Sequence, residues 1–161
     1  MPSGPALART IAAEVNPASP GLVVELGAGT GAITSALVAH GIGEAKLAIF
    51  ESVPTFYELL LRRFPKAMVF CADAFQFVRY LPAGEPIAAV ISGVPLLNHS
   101  PLERFRLIEM ALDRQGADGQ FIQLSYGWWP PIPAGPRLSV AKMVVLHNLP
   151  PAHVWIYRRR Y

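Results

Sequence analysis

The chain has one cysteine, Cys71, among its 161 residues. A lone thiol excludes an internal disulfide and a cysteine-built metal site, and it fits a reducing compartment. The four histidines, His40, His99, His147 and His153, show no metal-ligand spacing, so no structural metal is expected. No run approaches the roughly 20 apolar residues of a membrane span, and Met1 to Thr10 hold no continuous apolar stretch of the secretory kind. Charged residues are sparse, 16% against 52% hydrophobic, which argues against disorder and leaves room for an unusually apolar surface. Acidic residues stop at Asp118: residues 119–161 carry five basic groups and no acidic one, whereas residues 1–118 hold nine basic and eleven acidic. The net charge of +3 thus conceals a positive C-terminal segment ending Arg158-Arg159-Arg160. Such a segment is either a solvated face or an attractor of phosphates, on nucleic acid or on an anionic membrane. One cytoplasmic domain over residues 1–161 is expected, long enough to bury a core.

What the chain does have is a glycine cluster behind a short apolar run. Leu22-Val23-Val24-Glu25-Leu26 reads as a buried strand, Gly27-Ala28-Gly29-Thr30-Gly31 as a tight turn, and Ala32 to His40 as a helix. Strand, glycine turn and helix open a nucleotide-binding α/β domain, in which a ligand presses on bare backbone. Gly27, Gly29 and Ala32 also satisfy the looser dinucleotide fingerprint, with Glu51 placed to hold a ribose. Glu25 tilts the choice, because a carboxylate two residues before the first glycine opposes a pyrophosphate but accepts from an ammonium group. Gly31 completes an acidic-x-Gly-x-Gly-x-Gly motif.

Further along, Ser3 to Val15 is expected as a helix with Leu7, Ile11 and Val15 on one stripe, broken by Asn16-Pro17. Strands are expected at Lys46 to Phe50, Ala67 to Cys71, Ile87 to Ile91 and Gly119 to Tyr126. Helices are expected from Pro54 to Arg63, from Ala74 to Leu81, and from Pro101 to about Arg114 with Ser100 as its cap. Phe56, Leu59, Leu60 and Phe64 are read as an inner face, and Cys71 as core packing at a strand end. The tail breaks the alternation: Lys142 to Leu146 and Val154 to Tyr157 read as strands with a turn between them.

The first motif and the closing hairpin resemble the class I, Rossmann-like methyltransferases. The resemblance implies a seven-stranded, mostly parallel sheet ending in an antiparallel hairpin, with helices on both faces. It implies S-adenosylmethionine as methyl donor and S-adenosylhomocysteine as its product. Glu25, Gly27, Gly29, Thr30, Gly31, Glu51, Ser52, Asp73, Ala74 and Ser92 then form the cofactor set, with Glu25 at the methionyl ammonium, Glu51 at the ribose hydroxyls and Asp73 at the adenine amino group. Asp73 also suits a helix cap.

Ser92-Gly93-Val94-Pro95-Leu96-Leu97 sits where the methyl acceptor meets the sulfonium. Enzymes that methylate adenine amines carry an Asn or Asp and an aromatic around this proline. Here Gly93 and Leu96 stand instead, which argues against a flipped nucleobase. The stretch resembles bacterial phospholipid N-methyltransferases, as do Gln123-Leu124-Ser125-Tyr126-Gly127 and Asn148-Leu149-Pro150-Pro151-Ala152-His153-Val154-Trp155. That likeness implies methyl transfer to the amine of phosphatidylethanolamine or a related aminolipid. Gly93, Pro95, Tyr126 and Trp128 become substrate contacts, with Tyr126 the catalytic candidate because its ring face attracts an ammonium. The family carries a basic amphipathic segment upstream of where this chain begins. Either the chain is trimmed, or it meets the inner face of an anionic membrane through another element. The loop Trp128-Trp129-Pro130-Pro131-Ile132-Pro133 is the candidate, with packing over the fifth strand as its alternative. Two rival readings stay open: an rRNA adenine methyltransferase, and a non-catalytic binding module of the same fold.

Overall fold

The computed structural model describes residues 4–161, so Ser3, expected to open the first helix, lies outside the described residues. Helix α1 runs Pro5–Ala13, with proline at its first turn, and buries Leu7 and Ile11, while Val15 is buried just beyond it. Strands β1 (Leu22–Leu26), β2 (Leu47–Phe50), β3 (Met68–Phe70), β4 (Ile87–Ser92) and β5 (Phe121–Ser125) are parallel. Strands β6 (Leu138–Val145) and β7 (Ala152–Arg159) close the sheet, and β7 pairs antiparallel with both β5 and β6. The order across the sheet is β3-β2-β1-β4-β5-β7-β6. This is the seven-stranded, mostly parallel sheet with a C-terminal antiparallel pair that the sequence implies.

Helices cover both faces because the central strands are apolar on both sides. Every residue of β1 and β2 is buried. Helices α1, α2 (Ala32–Ala39) and α3 (Pro54–Arg63) pack on one face, burying Ile33, Leu37 and Leu60 against Val23, Ile49 and Ile91. On the other face α4 (Pro101–Gln115) buries Leu107, Ile108, Ala111 and Leu112 beside Phe77 and Phe121. A capping box starts α4: Ser100 Oγ accepts from Glu103 N at 3.2 Å, and Glu103 Oε2 accepts from Ser100 N at 2.8 Å.

Several expectations are corrected. Lys46 belongs to the 3-10 turn Glu44–Lys46, and β2 starts one residue later. Residues Ala74–Tyr80 form a 3-10 helix, begun by Asp73 Oδ1 accepting from Phe75 N at 2.9 Å. Phe56 is exposed, and only Leu60 within α3 is buried. Cys71 is exposed because it follows β3, which lies at the edge of the sheet. Strand β6 starts at Leu138 rather than Lys142, since Leu138 to Ala141 already pair with Arg159 to Ile156.

The basic tail is placed by the register of β7. Tyr157 pairs with Phe121 at the start of β5, so Arg158 to Arg160 lie at the end of the sheet opposite the C-terminal tips of the parallel strands. There Arg159 pairs with Glu109 at 2.6 Å and with Asp113, and Arg158 donates to Gln120 at 2.9 Å. The loop after β5 is anchored from beneath. The Tyr157 hydroxyl accepts from Ile132 N at 3.0 Å and donates to Ile132 O at 2.9 Å, and burial pushes the phenol pKa up to about 12. Tyr157→Phe should therefore lower unfolding free energy by about 1–3 kcal/mol in urea titrations, with the far-ultraviolet spectrum unchanged.

Candidate active site

The C-terminal ends of β1 to β5 open into two joined hollows, one of about 500 Å³ and one of about 340 Å³, that share Gly27, Gly93 and Pro95. Ligands of open α/β sheets lie across these ends. Glu51, Ser52, Asp73, Ala74, Phe75 and His99 line the smaller hollow. The larger runs from Gly27 to Thr30, past Leu96 to Asn98, to Gln123 to Gly127 and Pro131.

The glycine turn exists because of two local demands. Gly29 has φ +58° with nothing within 4 Å of where a Cβ would stand, so the turn offers open space above bare backbone. At Gly31, φ is +94° and a Cβ would come within 2.9 Å of Phe64 Cε2. The turn is tied across to β2: Gly27 N donates to Phe50 O at 2.8 Å, and Gly29 N donates to Glu51 Oε2 at 2.7 Å. Glu51 Oε1 accepts from Val53 N at 3.1 Å. Each carboxylate oxygen has a second lone pair free, so Glu51 still has the capacity to accept hydroxyls.

Glu25 sits under the same turn, 1% exposed, and accepts from Thr34 Oγ1 at 2.5 Å through Oε2. Its Oε1 has no partner among the described residues. Burial, with Glu51 nearby adding to it, pushes the Glu25 carboxyl up to about 7, while the Thr34 hydrogen bond opposes the rise. An orphaned carboxylate oxygen beside an open glycine turn, with a second acceptor above it, fits the ammonium and sugar of S-adenosylmethionine. Glu25 would hold the amino-acid end and Glu51 the ribose.

Most of the residues expected from the sequence gather here. Gly27, Gly29 and Thr30 line the larger hollow, as does Tyr126; Ser52, Asp73 and Ala74 line the smaller; Gly93 and Pro95 bridge them. Gly31 packs behind the turn, and Ser92 is buried with its Oγ accepting from Val94 N at 3.2 Å, so both support the cleft rather than line it. Trp128 is not brought to the cleft wall. It lines neither hollow, is 69% exposed, and packs its ring 4.9 Å from that of His153.

Sequence reasoning missed His99, Gln123 and Arg104. His99 packs its ring 4.6 Å from Phe75 at the smaller hollow. Gln123 carries its amide to Val94 O at 2.8 Å. Arg104 donates from Nε to Leu96 O at 2.7 Å and His99 O at 2.9 Å, from Nη2 to Leu97 O at 3.1 Å, and from Nη1 to Pro131 O at 3.3 Å. It thereby staples the two loops that flank the larger hollow. Only the Gln123 motif left a signal in the sequence, and it gave no role.

The fold is that of the class I, S-adenosylmethionine-dependent methyltransferases. TrmN from Thermus thermophilus matches 99% of this chain and 50% of its own, at a TM-score of 0.75 and 17% identity, so the chain spans half the length of that protein. An rRNA methylase from Streptococcus thermophilus matches over 100% of this chain and 99% of its own, with TM-score 0.67 and 17% identity. SMU.1697c from Streptococcus mutans, solved in complex with SAH, matches over 99% and 100%, with TM-score 0.63 and 16% identity. In sequence, the chain is similar to an ornithine lipid N-methyltransferase from Singulisphaera acidiphila, 29% identical over 134 residues, which is 78% of this chain and 69% of that protein. No protein-family model matches the chain.

Glu25 generates a pH prediction. Its folded value of about 7 lies above the ordinary 4.5, so the fold favours the protonated form. The ligand-free protein should lose roughly 3 kcal/mol of stability as pH rises from about 4.5 to 7. Glu25→Gln should flatten that decline. Denaturant titrations at stepped pH check it, and an equal decline in both proteins would refute the assignment.

Proposed function

We propose that this protein transfers methyl groups from S-adenosylmethionine to the amine of a lipid headgroup, phosphatidylethanolamine or a related aminolipid. The observation that carries the reading is the acceptor wall. At the position proposed to face the methyl group, Gly93 and Leu96 offer neither the amide nor the aromatic that grips an adenine, and Leu96, Leu97, Tyr126 and Pro131 give that hollow an apolar side beside the polar Asn98, Gln123 and Ser125. The sequence likeness to an ornithine lipid N-methyltransferase supports the same class of acceptor.

When bound, S-adenosylmethionine supplies a methyl carbon already activated by the sulfonium. The task left to this chain is alignment of a neutral amine and exclusion of water. Glu25 Oε1 would accept from the ammonium of the methionyl end, Glu51 from the ribose hydroxyls, and Asp73 from the adenine amino group. Tyr126 would present its ring face to the headgroup nitrogen, which becomes permanently cationic once fully methylated.

The rim supports a peripheral membrane contact. The register of β5, β7 and β6 puts the loop after β5 and the β6–β7 turn at the same end of the sheet as the cleft. Their tips are apolar and exposed: Trp129 at 82%, Leu146 at 73% and Leu149 at 89%, besides Trp128. Tryptophan and leucine at such tips suit the headgroup zone of a bilayer. No helix among the described residues is long and apolar enough to cross a membrane.

Transfer to RNA adenine is the second reading, favoured by the end-to-end fold match with an rRNA methylase. The Arg158 to Arg160 run that would grip phosphates lies at the far end of the sheet from the cleft. The presence of Glu25, Glu51, Asp73 and the open turn together speaks against a binding module without cofactor. The test is methyl-labelled cofactor offered with phosphatidylethanolamine vesicles or with an rRNA transcript. Label is expected in lipid; label in RNA, or in neither substrate, would overturn the reading. Trp129→Ser with Leu149→Ser should slow transfer to vesicle lipid about tenfold, the weight of roughly 1.4 kcal/mol of lost anchoring. Transfer to soluble glycerophosphoethanolamine should stay within about twofold.

A further inference from the structure

Five buried side-chain polar atoms have no partner among the described residues, and four of them lie together on the α4 side of β5 and β7. The fifth is Glu25 Oε1, buried in β1 and already assigned to the methionyl ammonium in the proposed function. Trp155 stands directly across from Gln123, and His153 across from Ser125. Cross-strand neighbours in such positions have side chains in contact range. Gln123 is 1% exposed, His153 1% and Trp155 4%, yet Gln123 Oε1, Trp155 Nε1 and both nitrogens of His153 are left without hydrogen bonds. Buried polar groups are normally satisfied, so four orphans in one corner point to a ligand.

The chemistry of the corner is donor-rich. An indole nitrogen only donates, and an imidazole offers at least one N–H in either protonation state. Ser125 Oγ accepts from Gly127 N at 3.1 Å, which leaves its hydroxyl proton to give. The Lys142 ammonium lies 5.2 Å from the Trp155 ring centre and 5.6 Å from that of Trp128, and among the described residues it pairs with no carboxylate. No acidic residue occurs anywhere after Asp118. The amide acceptor Gln123 Oε1 is held in a fixed orientation because Nε2 donates to Val94 O at 2.8 Å and Leu124 O at 2.7 Å. Gln123 and Ser125 line the larger hollow, so the corner adjoins the acceptor space.

We propose that this corner is an anion subsite for a zwitterionic amine: His153, Trp155, Ser125 and Lys142 take its phosphodiester or carboxylate, while Gln123 Oε1 receives an N–H of the amine to be methylated. The inference rests on the amine-acceptor reading above and narrows it to acceptors that carry an oxyanion beside the amine. Gln123 and Ser125 are two residues apart, about 7 Å along a strand, so one small zwitterion between them can reach both. Gln123 thus orients the nitrogen, and Lys142 the anion.

The experiment titrates the full chain, with S-adenosylhomocysteine present, with four soluble probes followed by calorimetry and tryptophan fluorescence. The probes are glycerophosphoethanolamine, Nα-acetylornithine, ethanolamine and inorganic phosphate. A phosphodiester site binds the first at least about tenfold tighter than ethanolamine, and a carboxylate site does so for the second; that comparison tells the two anion sources apart. His153→Phe and, at an exposed position that leaves the core intact, Lys142→Met should each remove most of the advantage, with melting of Lys142→Met unchanged. Phosphate should compete with the preferred zwitterion. Equal binding of ethanolamine and both zwitterions, an advantage that survives in both variants, or phosphate that fails to compete would overturn the subsite. Methyl transfer to ethanolamine and zwitterions at equal kcat/KM would refute the subsite and leave the amine reading standing. A zwitterion bound through His153 with no methyl transfer to any amine would refute the amine reading instead.

Discussion

The Glu51 carboxylate pins the glycine turn to the end of β2, and the cleft depends on that bond. One oxygen takes the Gly29 N–H and the other the Val53 N–H, so a single side chain fixes both the turn after β1 and the entry to α3. Charge-assisted bonds of this kind are stronger than neutral ones. The parallel pairing of β1 with β2 then sets the depth of the floor, and Gly27 is held to Phe50 O by the same geometry. With the turn fixed, Glu25 lies beneath it with one oxygen bound by Thr34 and the other open.

Two carboxylates so close to one another carry a cost in the ligand-free protein. Burial and the neighbouring Glu51 favour the protonated form of Glu25, which a cation at the open oxygen would reverse. The cleft is thus arranged to gain electrostatically from a ligand that is positive at one end and hydroxylated in the middle. Arg104 performs the matching task on the acceptor side, where its guanidinium gathers four carbonyls from the 96–99 turn and the loop at Pro131. A fork of five donors suits such a staple, and lysine would not replace it.

Sequence legibility followed the range of the interactions. The β1 run, the glycine turn and the Ser100 cap are local, so Glu25, Glu51 and Asp73 could be placed on strand ends from spacing alone. The segment after Asp73 is a helix as expected, ending one residue earlier at Tyr80, and its 3-10 winding is not written in the apolar spacing of Phe75, Phe77 and Val78. Leu138 to Ala141 gave too short an alternation after Pro136 to announce β6, whose start is set by pairing with residues 156–159. Gln123, His153 and Trp155 stood in two motifs without roles, and their meeting, like the places of His99 and Arg104, was illegible because cross-strand register and loop closure bring them together. The basic tail shows the converse: its charge was plain, but only the antiparallel register of β7 reveals that it faces away from the cleft.

The proposed chemistry requires a nucleoside lying over β1, β2 and β3. A crystal structure of the protein with S-adenosylhomocysteine tests it most directly. The ribose is predicted within hydrogen-bond distance of Glu51, the methionyl ammonium on Glu25 Oε1, and the sulfur facing the hollow between Gly93 and Tyr126. A nucleoside bound elsewhere, or a cleft that stays closed by the protein's own side chains at saturating ligand, would contradict it.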